Sequence, residues 1–305
     1  MNFQQLRIIR ETARQNFNLT EGAHALFTSQ PGVSKYIKDL EEELGIEIFI
    51  RKGKRILGLT DPGKDLLVFV ERMLHDARNI KTLAEQYSQR NEGQLIVAAT
   101  HTQARYVLPE VIAAFKKEFP HVHLKLHQGS PKEIAELLLS GEADIGIATE
   151  AVAEQDELAS FVFYHWRRSL VVPKGHPLQD AGAPTLEAIA QYPVITYHEG
   201  FTGRTAIDRV FKNVGLTPDV VLSALDADVI KAYVELGLGI GIVASMAFHP
   251  KRDEGLVQLN CEHIFPQNTA HIAVRKRRYL RGFAYRFIEL CAPELKADTI
   301  KAQVH

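Results

Sequence analysis

Gln30, Ser34, Lys35 and Lys38 stand on one side of a run whose other side is Val33, Ile37, Leu40 and Leu44. These polar types read or grip DNA: glutamine pairs with adenine edges, lysine with guanine or phosphate, serine with either. A solvated helix face has the same composition, so both readings stand. Farther on, four of the five residues Arg51-Lys52-Gly53-Lys54-Arg55 are basic, a density suited to phosphate or minor-groove contact. A third set follows expected strands or opens expected helices: Thr100-His101-Thr102-Gln103, Gly129-Ser130-Pro131-Lys132-Glu133, Thr149 and Gly200-Phe201-Thr202-Gly203-Arg204. Hydroxyls and backbone N–H groups at several helix N-termini suit a small oxyanion, with little formal positive charge required. Each threonine alone also serves as a plain cap, and only their convergence on strand ends favours a ligand site.

Other chemistry finds no support. His121, His123 and His127 alternate with Val122, Leu124 and Leu126, which reads as the polar face of a half-buried strand in preference to a metal site. Gly237, Gly239 and Gly241 precede a strand at the wrong spacing for a dinucleotide loop and read as a turn. The chain has no H-E-x-x-H, G-x-S-x-G, P-loop or C-x-x-C motif, so neither catalysis nor a cofactor is expected. Its two cysteines, Cys261 and Cys291, fit a reducing compartment. No opening apolar stretch and no run of ~18 apolar residues occurs, so no signal peptide or spanning helix is expected and the expected location is the cytoplasm.

Composition bounds the elements that must position these groups. The chain has 305 residues, 46% hydrophobic, enough for two or three domains at roughly 100–200 residues each. With 36 Lys and Arg against 37 Asp and Glu the net charge is −1, so attraction to DNA has to come from a local patch and no membrane binding is expected.

Phe3, Leu6, Ile9 and Ala13 predict a helix over 3–15 with Arg7, Arg10 and Arg14 outside; a second helix is expected with Thr20 as cap and Ala23, Leu26 and Phe27 inward. A third starts at Thr28-Ser29, tolerates the early Pro31 and stops at Gly45. Residues 46–51 and 56–60 then form a hairpin tipped by the basic cluster. Helix-turn-helix plus basic hairpin is a winged helix-turn-helix. Thr60-Asp61-Pro62 opens a helix running to about residue 87, where Leu66, Val70, Met73, Ala77, Ile80, Ala84 and Tyr87 form a heptad seam that implies a dimer; packing against the chain's own second domain is the alternative. Beyond Gly93, strands at 94–99, 122–127, 144–148, 170–172, 194–197, 219–222 and 240–244 alternate with helices at 103–119, 130–140, 205–214 and 227–236. That alternation predicts two α/β subdomains with mostly parallel sheets and a ligand in the cleft between them.

The segment Ala25-Leu26-Phe27-Thr28-Ser29-Gln30-Pro31-Gly32-Val33-Ser34-Lys35, with Leu40-Glu41-Glu42-Glu43-Leu44-Gly45, is similar to the helix-turn-helix signature of LysR-type transcriptional regulators. More narrowly, Thr100 to Tyr106, His127 to Pro131, Ala148-Thr149-Glu150, Tyr164-His165-Trp166, Gly200 to Arg204 and Asp226 to Lys231 resemble the CysB/Cbl branch, and Met1 to Leu6 the Cbl side of it. The resemblance implies a regulator, an activator by expectation, of sulfur assimilation, cysteine biosynthesis or sulfonate use. It implies a winged helix-turn-helix over 1–60, a linker and dimerisation helix over 61–92 and an effector domain over 93–305. That domain would resemble a periplasmic binding protein, with subdomains 93–164 plus 268–305 and 165–267. DNA contacts would fall on Thr28, Ser29, Gln30, Pro31, Ser34, Lys35, Lys38, Arg51, Lys52, Lys54 and Arg55. A sulfate-like oxyanion, adenosine phosphosulfate or acetylserine-type effector would meet Thr100, Thr102, Gln103, Ser130, Thr149, Trp166 and Thr202; Trp166 enters by resemblance alone. Partners would be operator DNA, RNA polymerase and further copies of the chain in a dimer or tetramer. A LysR-type regulator of another pathway, a solute-binding protein and an α/β enzyme are the competing readings.

Overall fold

A computed structural model describes all residues except Lys54, Gln89, Arg90, Thr202 and His305, and leaves the side chain of Glu150 undescribed. The chain divides into two compact units, Met1–Glu85 and Gln86–His305.

In the first unit, α1 (Phe3–Arg14) begins with a capping box in which the Asn2 side chain accepts from Gln5 N–H and Gln5 reciprocates. Its inward face is Gln5, Leu6, Ile8, Ile9 and Thr12, rotated from the expected one, so Phe3 stays exposed. Helix α2 (Leu19–Ala25) is capped by Asn18, whose carboxamide oxygen accepts from Thr20 and Glu21 N–H. Thr20, expected as the cap, lies in the first turn because the asparagine ahead of it already satisfies those donors. Helix α3 (Gln30–Leu44) is capped by Ser29 and ended by Gly45 at φ 66°, a left-handed conformation that favours glycine. Val33, Ile37 and Leu40 are buried with Ile8, Ile9, Ala23, Ile48, Phe49 and Ile56. Leu44 and Phe27, expected inside, are exposed, Phe27 fully so: each stands where the chain leaves a helix and turns outward.

Strands β1 (Phe49–Lys52) and β2 (Arg55–Leu59) pair antiparallel with Lys52 opposite Arg55, so only two residues join them. Residues 46–48, expected as strand, lie outside β1, and Ile48 and Phe49 N–H both donate to the Glu41 carboxylate of α3. Helix α4 (Asp61–Ser88) spans 28 residues, roughly 42 Å. Thr60 caps it by accepting from Gly63 N–H. A Cβ on Gly63 would lie 2.0 Å from the Ile48 carbonyl oxygen. Gly63→Ala should therefore destabilise this unit by about 1–3 kcal/mol through overpacking against backbone; an unchanged urea midpoint would show that the Ile48 segment yields freely.

The expected seam on α4 divides. Val70 and Leu74, with Leu66 beside them, pack on Leu6 of the same chain, whereas Phe69, Met73, Ile80, Leu83 and Tyr87 form an exposed stripe at spacings of four, seven, three and four.

The second unit holds two five-stranded sheets. In one, β3 (Gly93–Ala99) pairs parallel with β4 (Val122–Gln128) and β5 (Ile145–Ala148), while β12 (Asn268–Arg275) returns antiparallel between β5 and β6 (Leu158–Trp166). In the other, β8 (Val194–Tyr197) pairs parallel with β9 (Val220–Ala224) and β10 (Ile240–Ala244); β7 (Arg168–Pro173) runs antiparallel to β10, and β11 (Leu256–Asn260) antiparallel to β7. Both sheets are thus mixed where mostly parallel ones are expected.

Helices α5 (His101–Tyr106), α6 (Leu108–Glu118), α7 (Pro131–Ser140), α11 (Gly282–Cys291) and α12 (Ala297–Val304) accompany the first sheet, and α8 (Leu186–Ile189), α9 (Arg204–Asn213) and α10 (Ala227–Glu235) the second. Leu95, Val97 and Ala99 of β3 face one core layer and Ala98 the other, the alternation a doubly covered strand requires. The single helix expected over 103–119 is broken at Val107, because Pro109 cannot donate to the Arg105 carbonyl and its ring crowds it. Among the described residues no helix is long and apolar enough to cross a membrane.

Candidate DNA-reading surface and effector cleft

On α3, Ser29, Gln30, Pro31, Lys35 and Lys38 are exposed and Thr28 and Ser34 half-buried. Ser29 caps the helix, and Gln30 donates from its amide to the Ser34 hydroxyl at 3.2 Å, so these two side chains hold each other at the helix start. Lys38 leans on Glu42 at 3.4 Å. The wing is bolted to this helix by one carboxylate. Glu41 accepts from Ile48 and Phe49 N–H with one oxygen and from the Arg51 guanidinium at 2.6 Å with the other. Arg51 is thereby committed to the wing's root, while Lys52 and Arg55 project at its tip; Lys54 lies outside the described residues.

The topology of the second unit brings the other set together. Because β12 opposes both β5 and β6, the carboxyl ends of β3, β4, β5 and β6 share one edge of their sheet. Thr100 follows β3, Ser130 follows β4, Thr149 follows β5 and Trp166 ends β6. Thr100, Thr102, Gln103, Thr149 and Trp166 are all buried, and Ser130 is half-buried. Thr100 occupies the cap position of α5 without a side-chain cap bond. Ser130 accepts from Glu133 N–H within its capping box, which leaves its own O–H to donate. Gln103 accepts from Tyr164 O–H at 2.6 Å, so its amide N–H groups are its outward function. Among the described residues Thr102 Oγ1 and Trp166 Nε1 are buried without a well-formed hydrogen bond, although the Thr102 hydroxyl is close enough to Tyr197 to act on its phenol. Such a state costs about 1–3 kcal/mol per group unless something bonds it. Thr202 lies outside the described residues, although Gly203 beside it is placed.

The facing sheet presents its own edge. Arg168 starts β7 where β10 ends, since it pairs with Ala244, and only Arg167 separates it from Trp166. It is 1% exposed, donates from Nη2 to the Gly203 carbonyl at 3.1 Å and holds its guanidinium 5.2 Å from the Trp166 ring centroid. Tyr197, at the end of β8, accepts from Ala244 N–H at 3.1 Å, and burial pushes its hydroxyl pKa up to about 12. Tyr164 is likewise raised by burial. Arg168, Tyr164 and Tyr197 are absent from the expected site, and Arg168 adds a buried charge where little was expected. Its only signal in the sequence is its place two residues after Trp166 at the start of an apolar strand.

His123 and His127 lie exposed on the edge strand β4, as the polar-face reading of that segment expects. Gly237 takes φ 77° after α10, while Gly239 and Gly241 admit close backbone and side-chain neighbours at the start of β10.

Residues 3–64 match the family description "Bacterial regulatory helix-turn-helix protein, lysR family", and residues 88–296 match "LysR substrate binding domain". The chain belongs to the LysR family of transcriptional regulators. This LysR-type regulator is 57% identical to the HTH-type transcriptional regulator SsuR of Burkholderia cenocepacia over 98% of its own length and 97% of that protein. It is 53% identical to the HTH-type transcriptional regulator Cbl of Escherichia coli over 100% and 96% of the two chains. The crystal structure of the cofactor-binding domain of the Cbl transcriptional regulator superposes with a TM-score of 0.67 at 49% identity, covering 70% of this regulator and 93% of that chain. The CysB/Cbl branch expected from the motifs is therefore the right one. As a member of this family the chain is a regulator and not an enzyme.

Proposed function

We propose that this regulator controls genes of sulfur assimilation, cysteine biosynthesis or sulfonate use, and that its cleft senses a small sulfur-pathway anion. The observation that carries the effector reading is the gathering of Thr100, Ser130, Thr149 and Trp166 on one sheet edge, with two buried donors, Thr102 and Trp166, that have no well-formed hydrogen bond among the described residues. A sulfate-like oxyanion, adenosine phosphosulfate or an acetylserine-type molecule supplies the acceptors that these donors lack. The pathway itself is supported by the likeness to SsuR and Cbl. Residues 1–60 would read operator DNA through Thr28, Ser29, Gln30, Pro31, Ser34, Lys35 and Lys38 and the wing. Residues 61–92 would join protomers and 93–305 would sense, in a cytoplasmic dimer or tetramer that contacts RNA polymerase.

Effector binding shifts the population of cleft geometries, and two-fold pairing passes that shift to the DNA-reading heads. Footprinting on promoters of sulfur-assimilation genes, with and without sulfate, O-acetylserine or adenosine phosphosulfate, tests the reading. Protection whose extent changes with one of these molecules is expected; protection indifferent to all three overturns the effector assignment, and no protection overturns the pathway.

The exposed stripe on α4 supports pairing through that helix, since a row of Phe69, Met73, Ile80, Leu83 and Tyr87 left in water is unfavourable. Ile80→Asp should therefore shift the solution mass towards smaller assemblies at micromolar concentration by light scattering; a mass equal to wild type would remove α4 from the interface.

A further inference from the structure

Helix α5 serves two partners at once. Thr102 and Gln103, with Thr100 at the cap, belong to the effector edge, whereas His101, Arg105 and Tyr106 reach across to α10 of the other sheet's lobe. Tyr106 O–H donates to Asp228 Oδ1 at 2.6 Å, Arg105 Nε–H donates to Asp228 Oδ2 at 2.9 Å, and His101 Nε2 stands 4.0 Å from Asp226 Oδ2. Lys231 Nζ lies 3.3 Å from Asp228 and 5.7 Å from the Tyr106 ring centroid, and is itself tied to Asp253 and the Ala247 carbonyl. The Tyr106 ring packs on the lobe's core of Val171, Ile195, Tyr197 and Ile230. Asp228 sits in the first turn of α10, where the helix dipole favours a carboxylate.

Six residues of helix have almost no stability of their own. The break at Val107 ends the continuous helical hydrogen-bond run between α5 and α6, so α5 depends for its orientation on the side chains that fasten it. Two hydrogen bonds from α5 to the second lobe converge on the Asp228 carboxylate.

We propose that Asp228 is a positioning residue of the effector site: by clasping Arg105 and Tyr106 it fixes α5, and with it Thr100, Thr102 and Gln103, across the cleft. The inference rests on the effector reading above. Because the clasp spans the two lobes, its expected effect is on ligand release more than on ligand entry.

The test uses the full-length protein and its single tryptophan, Trp166, as a fluorescence reporter of titration with sodium sulfate, O-acetylserine or adenosine phosphosulfate. Asp228→Asn should weaken the binding of the responsive probe about fivefold or more, chiefly through faster release in stopped-flow displacement. Tyr106→Phe and Arg105→Gln should each give part of the loss, the Tyr106→Phe/Asp228→Asn pair should add little to Asp228→Asn alone, and Asp228→Glu should restore part of the affinity. The melting temperature should stay within about 2–4 °C of wild type.

Wild-type affinity and release in Asp228→Asn overturn the inference while leaving the effector reading intact, provided Thr102→Val still weakens binding. A loss in Asp228→Asn that comes with a large fall in melting temperature and has no counterpart in Tyr106→Phe or Arg105→Gln also overturns it. No response of the wild-type protein to any of the three probes, by fluorescence or calorimetry, overturns the effector reading and this inference together.

Discussion

Replacing Lys52 and Arg55 with alanine together should lower operator affinity by roughly 10²–10³-fold near physiological salt and flatten its salt dependence. With two such cations on each protomer of a dimer, the slope of log K against log salt should fall by about three to four, at ~0.9 for each phosphate left without its cation. The two residues face each other across a two-residue connection, which pushes their charges beyond the body of the wing. Arg51 is a different case. Its guanidinium is held by Glu41 at 2.6 Å, so Arg51→Ala should loosen the wing's root and change the salt slope less. Anisotropy of a labelled operator duplex, followed from low to high salt, separates the two, and a slope untouched by the double substitution removes the wing from the phosphates.

Thr102→Val should weaken effector binding by roughly 10–100-fold, because the substitution preserves shape and deletes one donor to an anion, worth about 1.5–3 kcal/mol. The residue is 1% exposed and its hydroxyl, close to the Tyr197 phenol, has no well-formed hydrogen bond among the described residues, so a ligand oxygen has only a weak contact to displace. Thr102→Ser keeps the hydroxyl and should retain most of the affinity. Titration followed by Trp166 emission reads both variants, because the indole lies buried at the same sheet edge. Equal affinity in Thr102→Val and wild type would show that this hydroxyl faces away from the ligand.

Much of both sites was legible because it rests on local rules. Ser29, Pro31 and Gly45 frame α3 by capping and left-handed backbone alone, and Thr100, Ser130 and Thr149 were found because parallel strands put their carboxyl ends on one edge. What escaped depends on partners distant in the chain. Tyr164 matters through Gln103, sixty-one residues earlier, and Glu41 anchors a wing it precedes. Arg168 lies just ahead of the expected strand 170–172 with no local signal of its own, yet the crossover from Trp166 buries it.

Strand β12 had no signature, since its place in the sheet is conferred by β5 and β6 on either side; the expected series stops at Ala244. The break between α5 and α6 was written in Pro109, but the apolar spacing that continues past it masked the signal. On α4 the seam divides in a way neither reading anticipates: Val70 and Leu74 pack on Leu6 of α1 within the first unit, and another face is left exposed.

The late return of β12 also dictates an order of assembly. The sheet holding β7 to β11 is drawn from one continuous stretch, Arg168–Asn260, and can close as soon as that stretch leaves the ribosome. The sheet holding β3 to β6 has a gap at its fourth position until Asn268–Arg275 emerges, so β6 has no neighbour to pair with before then. Its pairing must close over roughly a hundred residues, a slow step for a sheet. The lobe begun first in synthesis is thus the lobe finished last, and the nascent chain carries β6 as an unpaired edge, open to misassociation, while the whole of the other sheet is being made.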